Sequence, residues 1–419
     1  MKVLVIGEGA SEHALVWKLS QSRHVDKIYC CLGNRERDET AEYIDVSPYN
    51  FRTLIDFVKY EWIDLTIAVS QELFLEGIVN AFEKEGCRIL GPDKAAAQYM
   101  TSRVFLKNLM RRHRIPTTGY KVFTSYLHAQ DYIRLRTLPL VIKTDGSLDN
   151  HGAFTALTIE DAMDTLKMIM EDMAFGDAGK HVIVEESLQG EKVSFVAVTD
   201  GQTIAPFADL YKYEDREKDN GGLHTTVMGA YSPTGIFTEE LKNTIMTQIM
   251  KPLLKALKSE GIHYKGFLFA DLICDQKRPY LFELQCCFPN PEIQTILPRL
   301  KNDFVDFAFS VTEERLSDSA RELINETSLC MNLYSRGYPQ KDRKSFIING
   351  LEEIGSMKDI AVFQGSTSSS DTKRASGDDM ILSIIATGKN IMAAKETAGI
   401  AIDKIYFDGM YYGKDIINK

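Results

Sequence analysis

These 419 residues contain no basic excess, no long apolar run and no recognisable cysteine framework, and each absence removes a class of protein. Lys+Arg total 49 against 59 Asp+Glu, a net charge of −10. A surface built to track a nucleic-acid backbone needs the opposite balance, so no nucleic-acid partner is expected. No stretch is long and apolar enough to span a bilayer, and no membrane partner is expected either. The cysteines, at 30, 31, 87, 274, 286, 287 and 330, are odd in number and include two adjacent pairs. They fit neither zinc-ligand spacing nor a disulfide framework, and free thiols point to a reducing compartment. The chain enters a buried-type strand, MKVLVIG, without a basic n-region or cleavage site, so the expected location is cytoplasmic. There is no internal repeat and no low-complexity segment. A length of 419 residues predicts two to four modules.

What is present is organised in three parts. Residues 1–100 alternate short apolar runs (Val3–Ile6, Lys27–Cys31, Leu65–Val69, Arg88–Leu90) with amphipathic stretches (Glu12–Gln21, Phe51–Tyr60, Gly77–Glu85). This pattern predicts a parallel sheet covered on both faces. A helix near Ser102–His113 leads into a second module, residues 101–325, that contains a smaller unit at about 120–188. There Leu140–Lys143 and His181–Glu185 read as strands, and Leu127–Leu135 and Ile159–Asp172 as helices. Asp209–His224, polar and glycine-containing, reads as a mobile loop, and a helix follows over Leu241–Ser259. From 326 to 419, short strands at Leu329–Tyr334, Lys344–Ile348, Ile360–Gln364 and Met380–Ala386 and a helix at Asn390–Ala401 predict a small α+β domain. Gly365–Asp379 reads as a turn. The fold class is thus α/β and α+β, multidomain.

The richest stretch for chemistry is Gly266–Gln294, GFLFADLICDQKRPYLFELQCCFPNPEIQ. It reads as two strands joined by a polar turn. Glu283 and Gln285 share one face, because side chains alternate along a strand. An antiparallel pairing brings Asp271 beside them. Two carboxylates and an amide oxygen are hard ligands suited to a magnesium ion that holds nucleotide phosphates. A salt-bridged, half-exposed hairpin has the same spacing.

Three further motifs are weak when taken singly. Gly7-Glu8-Gly9 ends a strand and opens a helix, where a phosphate meets helix N-terminal amides. The third glycine of a dinucleotide fingerprint is missing, since position 12 is Glu12, which disfavours an NAD-binding dehydrogenase. Lys143-Thr-Asp-Gly146 places a lysine at a strand end, able to neutralise phosphate charge or to lie on the surface. Val182–Glu186 followed by Leu188-Gln-Gly-Glu191 reads as a strand and turn, whose backbone suits an adenine edge and whose Glu191 suits ribose hydroxyls. A plain acidic turn reads the same way.

In order, however, these motifs resemble the glycinamide ribonucleotide synthetase (phosphoribosylamine–glycine ligase) family of the ATP-grasp superfamily over essentially the full length. The resemblance is carried by VLVIGEGASEHAL, IDLTIAVSQE, ILGPDKAAAQ, SRVFLKNLMRRHRIPTTGY, LVIKTDG, AFGDAGKHVIVEESLQGEKVSF, MGAYSP, YKGFLFADLI, LFELQCCFPNPEIQ and SLCMNLYSRGYP. It implies a Rossmann-like N-terminal domain, an ATP-grasp core and a C-terminal domain completing the cleft. It also implies an acyl-phosphate mechanism that joins a carboxylate to an amine with ATP and Mg²⁺ or Mn²⁺. The family's acid and amine are glycine and 5-phosphoribosylamine.

On the nucleotide side the resemblance assigns Lys107 and Lys143 to phosphates, and Glu185, Glu186 and Glu191 to the adenine hinge and ribose. It assigns Glu283 to the metal, with Gln285 and Asp271 completing that catalytic set. On the substrate side it implies Gly7, Gly9, Glu12, His13, Glu72, Met228 and Gly229. The small-molecule partners are therefore a carboxylate (glycine or another amino acid) and an amine (5-phosphoribosylamine or another), on a monomer or homodimer.

Several positions depart from the family pattern. E-x-N is here Glu283-Leu-Gln285, the arginine after its cysteine is Cys287, and Gly-Asp is Pro289-Asn290. The glycine-rich lid is Ser147–Gly152 and includes His151. G-G-R-E-H, as Gly9–His13, lacks its arginine. Ser70–Leu75 and Leu223–Gly229 replace two further substrate motifs. Such changes fit either a nucleotide-binding protein without turnover or a ligase repurposed to another acid and amine. Asp271, an added carboxylate, favours a working ligase.

Overall fold

The computed structural model describes every residue except 8, 32–39, 149–150, 217–224, 276–277, 317–321, 336–344, 366–373, 377–379 and 419. The N-terminal part is the parallel sheet that its apolar runs predict. Its strands are β1 (Lys2–Ile6), β2 (Lys27–Cys31), β3 (Glu42–Ile44), β4 (Leu65–Ala68) and β5 (Ile89–Leu90), in the order β3-β2-β1-β4-β5. The edge strand β3 is too short and too polar for its pattern to signal a strand. Helices begin where side chains satisfy their first amides: Asn50 accepts from Thr53, Asp93 from Ala96 and Ser102 from Phe105.

Four antiparallel strands follow: β6 (Tyr120–Phe123), β7 (Leu140–Leu148), β8 (His151–Ala156) and β9 (Val182–Glu186), in the order β6-β9-β7-β8. Helices Tyr126–Arg134 and Ile159–Met170 cover this sheet. Phe123, Ile133, Ile142, Phe154, Leu166, Ile169 and Val184 give it a hydrophobic core of its own. The segment expected to be a lid loop, Ser147–Gly152, is largely strand: β7 runs to Leu148, β8 starts at His151, and 149–150 lie outside the described residues.

The rest of the chain shares one large sheet. It contains β10 (Glu191–Thr199), β11 (Ile204–Arg216), β12 (Thr225–Ser232), β13 (Gly266–Asp275), β14 (Arg278–Gln285) and β15 (Thr327–Ser335). The C-terminal strands are β16 (Ser345–Ile347), β17 (Ile360–Gln364), β18 (Arg374–Ser376), β19 (Met380–Gly388) and β20 (Met410–Tyr411). The path β14-β13-β10-β11-β12-β15-β19-β17 is continuous, with β20 on β15, and β16 and β18 form a separate ribbon. The C-terminal strands therefore extend the central sheet rather than standing apart as a tail. One core runs through all three parts, from Val3 and Val5 through Phe207, Phe267 and Phe304 to Ile384 and Ile385.

Two loop expectations are corrected. Asp209–Arg216 is strand, because Asp209 and Leu210 pair with β10 and Tyr211–Arg216 pair with β12, partners that local polarity does not reveal; residues 217–224 lie outside the described residues. Within Gly365–Asp379, Arg374–Ser376 pairs with Ser345–Ile347. The long helix runs over Glu239–Ser259, with a π turn at Met246–Met250. Among the described residues no disulfide joins any of the seven cysteines. Among the described residues, no helix is long and apolar enough to cross a membrane.

Gly91, after β5, marks where the N-terminal sheet meets the central one. A Cβ on Gly266 would lie 3.7 Å from Gly91 Cα, while a Cβ on Gly91 itself would lie 2.4 Å from the Phe74 ring. Gly91 also has φ +148°, a conformation that side chains disfavour. Gly91→Ala is expected to cost at least about 2 kcal/mol through overpacking and backbone strain. A lowered midpoint of the first unfolding transition in thermal melts checks this.

Candidate active site

The central sheet's edge carries the acid cluster. Asp271 on β13 stands directly opposite Glu283 on β14, and Ser194 on β10 lies on Asp271's other side, so the three form one row across the sheet. Pairing slips by one residue between Asp271 and Leu272, and this bulge keeps Glu283 opposite Asp271. Gln285, two residues on, shares Glu283's face and is buried. The juxtaposition expected from the hairpin is present.

What surrounds the row was not legible beforehand. Arg103 Nη2 lies 2.9 Å from Glu283 Oε1, while its Nη1 donates to the carbonyls of Thr144 and Gly146. Lys212, from β11, places Nζ 2.7 Å from Asp271 Oδ2 and 3.3 Å from Glu292 Oε1. The Ser194 hydroxyl donates to Asp271 Oδ1. Burial alone would raise the Glu283 carboxyl, but the nearby charges of Arg103 and Lys143 outweigh it and hold that group at about 2. Burial opposes the Lys212 charge too, yet Asp271 and Glu292 raise it above the ordinary lysine value.

A second knot joins this row to the small four-stranded unit. Lys107 Nζ is 3.1 Å from Glu185 Oε2, and Lys143 Nζ is 3.3 Å from Glu185 Oε1. Lys107 also donates to the hydroxyls of Thr117 and Thr118, and Thr118 donates to Glu185. Lys107, Lys143 and Glu185 are all nearly inaccessible. Desolvation lowers the Lys107 ammonium to about 8, against the partial support of Glu185. The K-T-D-G motif also sets the frame: Asp145 accepts from Ser102 Oγ and from the Val104 amide, so it caps the helix Arg103–Arg112 that carries both Arg103 and Lys107.

The remaining expected residues are spread more widely. The Glu185 side chain pairs with lysines rather than facing out toward a ribose. Glu186, whose amide donates to Gly119, and Glu191 are exposed at the ends of β9 and β10. Glu12 is buried beside Gly7 and Gly9, its carboxylate oxygen 3.6 Å from where a Cβ on Gly9 would sit. His13 Nδ1 accepts from the Gln364 amide and its ring meets Phe363 edge-on, so it clasps the C-terminal part. Glu72 is exposed on the first turn of the helix Gln71–Glu76, within electrostatic reach of Cys286 and Cys287. Met228 is 1% exposed, its side chain packed within the shared core. A Cβ on Gly229 would lie 2.4 Å from the Cys330 carbonyl oxygen, so the position has no room for a side chain.

Arg103, Lys212, Ser194 and Glu292 went unassigned. Arg103 and Glu292 lie in the matched segments SRVFLKN and PNPEIQ, which gave a signal. Lys212 lay in the supposed loop and gave none.

The donor set decides how a divalent metal ion fits here. Arg103 engages one carboxylate oxygen of Glu283, and with Gln285 on the same face these two residues fit as metal donors. Asp271 does not fit in the same way, since Ser194 and Lys212 take its two oxygens.

Comparisons with known proteins agree with this layout. Three family models match in succession: phosphoribosylglycinamide synthetase N domain over residues 1–99, its ATP-grasp (A) domain over 101–293 and its C domain over 328–419. A phosphoribosylamine–glycine ligase of Caldanaerobacter subterraneus is 37% identical over 416 residues, covering 99% of each chain. The Escherichia coli K12 protein of that name is 34% identical over 422 residues, covering 99% of this chain and 98% of its own. A solved phosphoribosylamine–glycine ligase from Thermotoga maritima superimposes with a TM-score of 0.83 at 23% identity, over 99% of this chain and 100% of its own. A biotin carboxylase from Campylobacter jejuni reaches 0.73 at 15% identity, over 99% of this chain and 94% of its own, which shows a shared fold.

Two outcomes are expected of the knot. Glu185→Gln leaves two buried lysines without a counter-ion and should cost about 3–5 kcal/mol, measured by urea unfolding. A phosphate ligand favours charged Lys107, so ATP affinity should be flat below pH 8. Above it, as Lys107 loses its proton, affinity should weaken by up to about tenfold per pH unit, measured by calorimetry from pH 7 to 9.5.

Proposed function

This chain belongs to the phosphoribosylglycinamide synthetase family, an ATP-dependent ligase family that forms C–N bonds, and from that premise we propose its substrates and the work of its residues. The acid is glycine and the amine 5-phosphoribosylamine, as the names of the full-length relatives suggest. The observation that carries the reading is the buried knot of Lys107, Lys143 and Glu185 set against Glu283. It supports the reading because two buried ammonium groups beside a carboxylate that stays ionised form the charge pattern that nucleotide phosphates require.

Lys107 and Lys143 bind the phosphates. Glu283, with Gln285, would hold a Mg²⁺ or Mn²⁺ ion, which supplies further neutralisation of phosphate charge. Arg103 orients Glu283 by pinning one of its oxygens. The terminal phosphoryl group of ATP passes to the acid's carboxylate oxygen, and ADP leaves. The amine nitrogen then attacks the acyl carbon of the resulting acyl phosphate, phosphate departs, and the nitrogen loses one proton as the amide forms. Adenosine sits at the Glu186–Glu191 turn. Gly7, Gly9 and the Cys286–Glu292 segment face the acceptor.

A second reading has its own observation. Position 287 carries a thiol where a phosphate-binding arginine is usual in the family, and burial pushes that thiol well above its ordinary value. A neutral thiol gives a phosphorylated amine no counter-charge, so a different acid–amine pair is favoured by this position.

Phosphate release from ATP, assayed with Mg²⁺ and with Mn²⁺ across amino acids with and without 5-phosphoribosylamine, decides between the two. The first reading expects release that requires glycine and 5-phosphoribosylamine together. Release with another pair establishes the second, and binding of ATP without any release identifies a protein that does not turn over. With the productive pair, Lys143→Met is expected to lower kcat by about 100-fold. Glu283→Ala should abolish thermal stabilisation by ATP–Mg.

A further inference from the structure

Lys212 has no part in the roles assigned above, yet it lies at the centre of the acid cluster. It comes from the middle of β11, its side chain is 12% exposed, and it reaches Asp271 at 2.7 Å and Glu292 at 3.3 Å. Asp271 in turn stands opposite Glu283. Glu292 is 2% exposed, and its second carboxylate oxygen has no hydrogen-bond partner among the described residues. Two carboxylates thus converge on one ammonium group, with Glu283 next in the row, and a divalent ion uses the same donor chemistry in oxygen-ligand sites.

The charges support this placement. Asp271, Glu283, Glu292 and Glu185 are four carboxylates, and Lys212, Arg103, Lys143 and Lys107 are four cations paired with them. Without Lys212, two nearly inaccessible carboxylates would face each other with no cation between them. Each would be penalised by burial and by the other's charge.

We propose that Lys212 is a built-in cation, an ammonium group holding the place of a divalent ion between Asp271 and Glu292. It leaves Glu283 as the carboxylate that recruits metal with the nucleotide. This rests on the ligase reading of the acid cluster. Its consequence is that part of the positive field around the phosphates is carried covalently by the chain, so the site is charge-matched before nucleotide arrives.

The test uses the full-length chain and Mn²⁺ alone, followed by the loss of the free-ion signal in electron paramagnetic resonance. Wild type and Lys212→Arg should show no Mn²⁺ site at the cluster. Lys212→Gln should gain one Mn²⁺ per chain that wild type lacks, because the ammonium charge that occupies the place of the ion has been removed. The double variant Lys212→Gln/Asp271→Asn should lose that gain. A folded Lys212→Gln with wild-type Mn²⁺ binding, or a gain that survives in the double variant, overturns the proposal. Should Lys212→Gln fail to fold, millimolar Mn²⁺ must restore its native circular dichroism, and failure to do so also overturns it. Thermal stabilisation of wild type by ATP–Mg, measured alongside, reports separately on the nucleotide site. Its absence overturns the ligase reading while leaving the Mn²⁺ comparison to judge Lys212.

Discussion

The constraint on which the rest of the site depends is the matching of buried charge. Four carboxylates and four cations meet where the central sheet's edge faces the small four-stranded unit. Ionised groups in that setting are costly unless each has a partner of good geometry. The pairs therefore contribute less to net stability than to position. Glu185 sets the separation of two lysines, Arg103 fixes one oxygen of Glu283, and Asp145 anchors the helix that supplies both Arg103 and Lys107. The arrangement is preorganised for a polyanion.

Connectivity explains why such a site needs the whole chain. The small unit has its own apolar core and supplies Lys143 and Glu185. The central sheet supplies Asp271, Glu283 and Lys212, and it continues into the C-terminal strands through the pairing of β12 with β15. His13, near the first turn of the N-terminal part, accepts from Gln364 on β17. The substrate-side motifs thus also tie the domains together. A change at His13 or Gly229 therefore acts on domain packing, so motif departures at those positions do not report on ligands alone.

The departures themselves now separate by place. Gln285 keeps an amide on the same face as Glu283 and preserves the donor type. Cys287 exchanges a cation for a neutral thiol beside Glu292. Asp271, which looked from the sequence like an added metal ligand, carries instead an ion pair with a lysine from the neighbouring half of the sheet. The added acid is thus matched by a buried cation, which offsets the cost of its charge.

Much of the fold was legible because its signals are local. Alternating apolar runs and amphipathic stretches mark the parallel sheet, and the spacing within Gly266–Gln294 marks the hairpin and the face shared by Glu283 and Gln285. Caps such as Asn50 and Asp93 act on amides within three residues of themselves. Lys212 and Arg103 were illegible as partners because what defines them is another strand or helix. Lys212 meets Asp271 59 residues away, and Arg103 meets Glu283 180 residues away. Asp209–Arg216 looked like a loop because nothing in its own composition announces the two strands that complete its hydrogen bonds. The sequence by itself determined the domain order and the family, and it singled out the two lysines that the structure buries together. Only the tertiary structure decided which charges neutralise which. The energy of a buried charge depends on groups brought close by folding, which no spacing along the chain records.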